Sequence, residues 1–344
     1  MPAGAGNSEN MTAAGPLLIV YVVWGSTYLA LKVGLETMPP LTINAVRFLV
    51  AGALLFAYCR YRRWTMPDRR QWRAGAIQGL LLPAAGTGGA TWAEQTLPSG
   101  TTALLLATIP LWIVLGRRVV DHERITVPIG FGLVAGIAGV AILVRPGGAG
   151  DALATAVALG AAMCWGLGSV YAVHAPRPSH ALLASAVEMM SAGAILGVLA
   201  AVAGEYGRIG VSGRSLLALG YLIVFGSLIA YTAYTWLLDH VAPRIAGTYA
   251  FVNPVVAVFL GWWLLGERLD TRILLGTAVV AAGVALIVLS PSSASSRGGA
   301  SSAGEASTPS DASPLGDAPV LGNVCAGRRF GNSGGDFGSS GRVP

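Results

Sequence analysis

Ten long apolar runs, separated by short polar connections, constrain this 344-residue chain more than any other feature. The hydrocarbon core of a bilayer is about 30 Å thick, and a helix of about 20 apolar residues crosses it. In lipid the backbone must satisfy its own hydrogen bonds, so each run is expected to be a helix. The sequence predicts an all-α membrane protein whose ten transmembrane helices lie at residues 15–35, 41–58, 74–93, 97–116, 127–144, 152–173, 181–203, 216–238, 245–265 and 273–289.

The composition excludes an ordinary soluble protein and gives no support for nucleic-acid binding. Apolar residues make up 54% of the chain and charged residues 11%, less than half of the roughly 25% usual in soluble domains. Although the net charge is +6, the arginines cluster in the short connections between apolar runs, where they orient membrane helices. Cysteines and histidines follow no metal-ligand spacing, so we expect no metal and no cofactor.

The lysines and arginines of the connections predict the orientation of the chain. With a cytoplasmic N-terminus, eleven of them lie on the cytoplasmic side and six on the other, which favours both termini in the cytoplasm. Residues 1–14 are then a cytoplasmic N-terminal segment. Residues 291–344 are rich in Ser, Gly and Ala and are predicted to be a disordered cytoplasmic tail, because they contain too few apolar residues to form a core.

An internal repeat divides the predicted helices into two halves of five, residues 15–146 and 152–290. A shift of 144 residues aligns Pro110 with Pro254, and a shift of 141 aligns Trp24 with Trp165. Because five is an odd number, the second half is expected to enter the membrane inverted relative to the first. Inverted repeats of this kind are typical of transporters that bind substrate near the midplane and expose it alternately to the two sides.

Several short motifs resemble one known family. They are Trp24-Gly25-Ser26-Thr27-Tyr28, Pro39-Pro40-Leu41, Arg47-Phe48, Ala93-Glu94-Gln95, Glu188-Met189 and Tyr249-Ala250-Phe251-Val252-Asn253-Pro254. On these residues the sequence is similar to the EamA-type ten-helix transporters of the drug/metabolite transporter superfamily, and most of all to the YedA-like inner-membrane members. The resemblance implies a carrier in the cytoplasmic (inner) membrane that exports small organic metabolites, amino-acid-like compounds or drugs.

Charged residues inside the apolar runs are candidate site residues. Arg47 and Glu188 lie several residues inside their predicted helices, at equivalent positions of the two halves. A charge at the centre of a membrane helix costs about 2.5–3.5 kcal/mol on insertion scales, so each requires a partner, water or substrate. The alternative, that neighbouring backbone satisfies them as packing groups, stays open. Lys32, near the end of its run, fits a topological anchor equally well.

Two prolines mark predicted breaks in repeat-equivalent helices. Pro110 and Pro254 lie mid-run, where proline removes a backbone donor and leaves a carbonyl free. Interrupted helices in corresponding positions of two halves indicate a transporter site. Asn253 adds an amide that can donate and accept at the second break. A kink that only improves packing is the alternative.

Aromatic residues complete the candidate site. Trp24 and Trp165 lie in the middle of their runs and are predicted to line a cavity, together with Tyr28 and Tyr249. Their rings suit apolar, aromatic or cationic solutes. The predicted function is alternating-access transport of a small molecule, with protons as the candidate coupling ion. The alternatives are a membrane scaffold or sensor and a membrane-embedded enzyme, for which the sequence holds no motif.

Overall fold

A computed structural model of the chain describes residues 5–143, 149–240, 249–268 and 270–289. Within these ranges the chain is helical and contains no β-strand. The helices are α1 (Ala5–Gly34), α2 (Pro40–Tyr61), α3 (Arg69–Gly79), α4 (Gly88–Ala93), α5 (Ser99–Leu106), α6 (Ile109–Val120), α7 (Val127–Leu143), α8 (Ala149–His174), α9 (Ala181–Val202), α10 (Gly213–Tyr221), α11 (Ala230–His240), α12 (Tyr249–Leu265) and α13 (Thr271–Leu289).

Six helical segments of the described residues are long and apolar enough to cross a membrane. They are Ala14–Gly34, Pro40–Tyr61, Ser99–Val120, Ala152–His174, Ala181–Val202 and Gly213–Tyr234, and shorter apolar helices lie at Val127–Ile142, Val252–Leu265 and Thr271–Ile287. The all-helical membrane class predicted from the sequence agrees with these elements. The predicted tail, residues 291–344, and part of the connection between the predicted halves, residues 144–148, lie outside the described residues.

Two of the predicted spans contain π-helix, which the sequence analysis did not anticipate. Leu80–Thr87 joins α3 to α4, and Leu222–Ile229 joins α10 to α11, as π-helical turns. The first contains Pro83, which has no amide to donate and so favours a local change of the hydrogen-bond ladder. The second contains no proline, so its sequence carries no comparable signal. Short π-helical segments inside α-helices frequently lie at functional sites.

Other boundaries differ from the predicted ones. The segment Ser99–Val120, which covers most of the run at 97–116, contains a two-residue turn, because α5 ends at Leu106 and α6 begins at Ile109. Pro110 therefore lies in the first turn of α6 rather than inside a helix, where its missing amide leaves no hydrogen bond unmade. Pro254 does lie inside its helix, α12. The first helix begins at Ala5, ten residues before the apolar run, because a helix can continue beyond the hydrocarbon core.

Glycines let two pairs of helices approach closely. A Cβ atom on Gly52 of α2 would lie 2.8 Å from the backbone nitrogen of Met190 in α9, and one on Gly193 of α9 would lie 2.7 Å from that of Leu49. Helices α7 and α13 meet in the same manner, since a Cβ atom on Gly283 would lie 2.8 Å from the nitrogen of Gly136. Small residues at such contacts are the usual means of packing helices in membranes.

The connections gather at two ends of the helical body. At one, here called the 94–98 end, the backbone nitrogen of Gly210 donates to the carbonyl of Thr37 at 2.9 Å. Two carboxylates cap helices there. Glu205 accepts from the nitrogen of Thr42 in the first turn of α2 at 2.8 Å, and Glu267 accepts from that of Ser99 at the start of α5 at 2.9 Å. These bonds join segments far apart in the sequence.

At the other end, here called the 175–180 end, a second set of connections meets. The Nε2 atom of Gln71 donates to the carbonyl of Arg177 at 2.9 Å. Asp121 contacts the Nε2 atom of His174 at 2.8 Å. The connection after α2 and the one after α8 also approach each other here, at the stacked rings of Trp64 and His180.

Candidate functional site

A cavity of about 510 Å³ lies between the helices and reaches the 175–180 end. Its wall includes Arg177 and Ser179, which are exposed, so the cavity is open at that end. Deeper residues of the wall come from α1, α8, α9 and α11. The polar and aromatic lining residues are Trp24, Gln78, Trp165, Ser169, Arg177, Ser179, Ser185, Glu188, Tyr231, Tyr234 and Tyr249.

Glu188 is the carboxylate of this cavity. It lies on α9 between the buried residues Val187 and Met189, and its own side chain is partly buried. Among the residues that the structure describes, no hydrogen bond or ion pair holds its carboxylate, and Arg177 is the cation that acts on it electrostatically. A carboxylate in this position is available to a proton or to a cationic group of a solute.

A smaller pocket of about 90 Å³ lies deeper in the protein. It shares Trp24, Trp165, Tyr231 and Tyr249 with the open cavity, so these four rings separate the two chambers. The other polar residues of its wall are Thr27, Tyr28, Arg47, Thr87 and Asn253. Together the two chambers form a path from the 175–180 end toward the middle of the protein.

Arg47 is held by the π-helical segment after α10. Its Nε atom donates to the hydroxyl of Ser227 at 2.9 Å, and its side chain is 4% exposed. The Nη1 atom has no hydrogen-bond partner among the described residues. Its guanidinium also lies 4.9 Å from the ring centre of Phe48. Arg47 and Glu188 do not pair with each other, so the equivalent positions of the two halves face different chambers.

The aromatic residues form one cluster around Trp24. Its ring centre lies 5.6 Å from that of Tyr231, 5.0 Å from that of Tyr234 and 5.2 Å from that of Tyr249. The indole nitrogen of Trp24 donates to the carbonyl of Gly226 at 3.2 Å, which fixes the ring against the same π-helical segment. Aromatic pairs at these separations stabilise the geometry by about 0.5–1.5 kcal/mol each.

Asn253 bridges α12 to α1 directly before Pro254. In the orientation that matches its neighbours, its amide nitrogen donates to the carbonyls of Tyr249 at 3.3 Å and of Tyr21 at 3.2 Å. Pro110 contributes no side chain to either chamber, although its neighbour Ile109 lines the deeper one. No group of three His, Cys, Asp or Glu side chains in the described ranges is arranged to hold a metal ion.

The sequence and the EamA-like transporter family match in two segments, residues 13–145 and 152–289. The chain belongs to this family. The inner membrane transporter YedA of Escherichia coli K12, named as uncharacterized, is 39% identical over 278 residues, which cover 80% of this chain and 90% of YedA. A probable terminal-alkyne amino-acid exporter of Streptantibioticus cattleyicolor is 26% identical over 80% of this chain and 93% of its own.

The fold is also similar to one solved by crystallography. That structure superposes with a TM-score of 0.58 at 19% sequence identity, covering 81% of this chain and 97% of the other. At this identity the similarity concerns the fold alone. The names of the family and of these relatives support a membrane transporter and point away from an enzyme.

For this EamA-like protein, the structure brings Trp24, Tyr28, Arg47, Trp165, Glu188, Tyr249 and Asn253 together around the two chambers. Sequence reasoning missed Arg177, which was counted only as a topological charge. It also assigned no role to Glu94, which was used only to establish the resemblance. The signal for Glu94 was present, since it is a carboxylate directly after an apolar run.

Proposed function

We propose that this EamA-like protein is a secondary transporter that exports small organic metabolites, amino-acid-like compounds or drugs across the cytoplasmic membrane by alternating access. The observation that carries the proposal is the cavity with Glu188 on its wall, open at the 175–180 end. Its volume of about 510 Å³ lies within the ~300–1,000 Å³ usual for small-molecule sites. The probable amino-acid exporter among its relatives fits the same class of solute.

The closure of the opposite end supports alternating access. Here the ammonium of Lys32 donates to the carbonyls of Glu94 and Leu97, and Glu205 and Glu267 cap helices from distant connections. A path that is open at one end and closed at the other is one of the two states that an alternating-access carrier requires. Rocking of the halves would close the end that is open here and open the end that is closed.

We propose further that the halves are inverted five-helix repeats, residues 15–146 and 152–290, with both termini and the 175–180 end in the cytoplasm. The separate family matches to residues 13–145 and 152–289 support two homologous units. The last turn of α2, with Arg60, and the connection to α3, with Arg62 and Arg63, lie at the 175–180 end. Arginine-rich connections favour the cytoplasmic side.

Glu188 is the proposed coupling residue, with a proton as its ion or a substrate ammonium as its partner. Trp24, Tyr28, Trp165 and Tyr249 would contact the solute, and Arg47 and Asn253 would bind its acceptor groups. A carboxyl group without a fixed protein partner can exchange a proton for a cation, because either one neutralises it in an apolar site. The unpartnered Nη1 atom of Arg47 suits an anionic or carbonyl oxygen of the solute.

The test begins with the solutes of cells that do or do not express the protein. Candidates that accumulate in cells lacking it are then offered to purified protein in liposomes, where a carrier gives counterflow of labelled solute. A scaffold or sensor gives no counterflow, and an enzyme changes the solute chemically. Counterflow in liposomes that contain the protein, and not in protein-free liposomes, supports the proposal. If none of the candidate solutes gives counterflow, the proposal is wrong.

A further inference from the structure

Glu94 is the most completely buried carboxylate of the described residues and takes no part in the cavity above. Its side chain is 0% exposed, and neither carboxylate oxygen has a hydrogen-bond partner within the described part of the chain. It follows α4 at the closed 94–98 end. A charged carboxylate without water or donors is costly in such a place, whereas the neutral acid needs far less compensation.

Among the described residues, one cation acts on Glu94, and its ammonium already donates to other groups. The ammonium of Lys32 donates to the backbone carbonyls of Glu94 itself and of Leu97, at 2.9 Å for Leu97. The charged and titratable groups that act on Glu94 are Lys32 and Tyr28 from α1 and Glu267 from the connection after α12. Lys32 thus closes this end through the backbone and leaves the carboxyl group unpaired.

Glu94 lies beyond the deeper chamber on the path to the 94–98 end. Tyr28 and Ala90, one helical turn before Glu94, line that chamber, and Tyr28 interacts with Glu94 electrostatically. The next pocket toward this end is lined by Trp92 and Gln95, on either side of Glu94 in the chain. The carboxyl group therefore occupies the barrier between the deeper chamber and the closed end.

We propose that Glu94 is a second proton site, which holds a proton while the 94–98 end is closed and releases it when that end opens. On opening, Lys32 leaves the two carbonyls and pairs with the carboxylate, and the proton passes to water on that side. Glu94 and Glu188 then titrate on opposite sides of the path, one at each end. The inference rests on the proposed alternating access but requires no knowledge of the solute.

The sign of the pH dependence follows from the proton count. The closed state binds one proton more than the open state, so a rise in pH favours opening. Replacement of Glu94 by Gln imitates the protonated acid and is expected to keep this end closed at every pH. Replacement by Asp retains a titrating carboxyl group and is expected to retain the pH response.

Accessibility of the deeper chamber measures this opening directly. Thr27 lines the chamber, so Thr27→Cys is introduced after Cys59, Cys164 and Cys325 have been replaced. A membrane-impermeant thiol reagent is applied only from the side on which Gln95→Cys reacts, because Gln95 is exposed at the 94–98 end. A thiol reacts faster as pH rises, because more of it is thiolate. Each rate is therefore divided by the rate of Gln95→Cys at the same pH.

From about pH 5.5 to about pH 8.5 we expect the normalised rate to rise several-fold, because opening releases the proton. Glu94→Gln should give a low, flat rate and Glu94→Asp a rising one. Glu36→Gln is the matched control at the same end, since Glu36 is exposed and pairs with Arg214, and it should behave as the parent does. The amide of Lys32→Gln can still donate to the two carbonyls but carries no charge. This variant should therefore move the rise to higher pH, because a neutral side chain no longer favours the charged carboxylate.

The outcomes separate this inference from the proposed function. An equal rise in Glu94→Gln, or a measurable rate in the parent that does not change with pH, would overturn the proton site alone. No reaction of Thr27→Cys at any pH would overturn alternating access as well. If Glu94→Gln is not recovered as folded protein, Lys32→Gln provides the test. If the normalised rate in Lys32→Gln rises at the same pH as in the parent, the proposal is wrong.

Discussion

Arg47 and Glu188 are aligned by the repeat that the sequence predicts, yet their surroundings differ. Arg47 donates to Ser227 in a π-helical segment and is almost fully buried, whereas Glu188 faces the open cavity and has no hydrogen-bond or ion-pair partner among the described residues. A charged side chain that has a fixed partner is stabilised in one geometry. A charged side chain without a fixed partner can exchange protons or ligands. Arg47 and Glu188 are therefore suited to different tasks, although the predicted repeat aligns them.

The Glu188→Gln variant tests the coupling role. The amide keeps the shape and most of the hydrogen bonding but cannot bind or release a proton, so uphill transport driven by a pH gradient should fall to the level of protein-free liposomes. Downhill exchange of the solute should largely remain. Both are measured with labelled solute in proteoliposomes, and Glu36→Gln, which removes an exposed carboxylate at the opposite end, serves as the control.

The same measurement distinguishes two roles for Glu188. If exchange is lost together with uphill transport, the carboxylate binds the solute rather than coupling a proton to it. Normal uphill transport with normal pH dependence would mean that Glu188 is a packing residue and that the cavity couples its ion elsewhere.

Glu205 illustrates a residue whose importance is structural. It is 3% exposed and accepts from the backbone nitrogen and hydroxyl of Thr42 at 2.8 and 2.9 Å, at the start of α2. Pro39, the N-cap of α2, offers no side-chain acceptor, so Glu205 takes over that task from another part of the chain. Charged acceptors at a helix N-terminus are favoured by the free amides and the helix dipole.

Glu205→Ala should therefore destabilise the protein. Loss of a charge-assisted bond to buried donors costs about 1–3 kcal/mol, which should appear as a lower apparent Tm of the purified protein in detergent. Glu36→Ala is the matched control, because an exposed ion pair contributes roughly 0–1 kcal/mol. Equal Tm values for the two variants would contradict the capping role.

At the scale of whole elements, the contact between α2 and α9 depends on paired glycines. Gly52 and Gly193 are repeat-equivalent, and each brings the backbone of the opposite helix too close for a Cβ atom. The obstructing atoms include backbone nitrogens and carbonyl oxygens, which cannot turn aside as a side chain can. Helix α2 contributes Arg47 to the deeper chamber and α9 contributes Glu188 to the open cavity, so this contact also positions both side chains.

Gly52→Ala and Gly193→Ala should each force α2 and α9 apart. Overpacking of this kind typically costs about 1–3 kcal/mol, so we expect a clear fall in apparent Tm for both variants. Gly160→Ala on α8 is the control, because nothing lies within 4 Å of the Cβ atom it would add. That variant should be neutral or gain up to about 1 kcal/mol from helix propensity. A comparable loss in all three would refute close packing as the cause.

For the whole molecule, the proposed topology fixes which end faces which compartment. Thr65, in the connection after α2, and Gln95, in the connection after α4, are both exposed and belong to opposite ends. In a cysteine-free background, Gln95→Cys should react with an impermeant reagent in intact cells, and Thr65→Cys only after permeabilisation. The reverse pattern would show that the 175–180 end faces outward and that the orientation predicted from the arginines is wrong.

The amino-acid sequence alone determined the class of the protein. The cost of placing polar groups in hydrocarbon makes each long apolar run a helix wherever it occurs, so the class could be derived locally. The family followed from the resemblance of short motifs. The same cost singled out Arg47 and Glu188 before any contact was known. Trp24 and Trp165 followed from their mid-run positions and from the repeat, and Tyr249 from its place near them in the pattern. The structure places all three on the two chambers.

Only the tertiary structure decided which side chains meet. Ser227 beside Arg47, Glu205 at the start of α2, Glu267 at the start of α5 and Lys32 beside Glu94 are contacts between distant segments. They could not be derived from the sequence, because a membrane helix is apolar on the side facing lipid and on the side facing its neighbours. Without a polar face to orient each helix, the pattern gives its position along the chain but not its rotation.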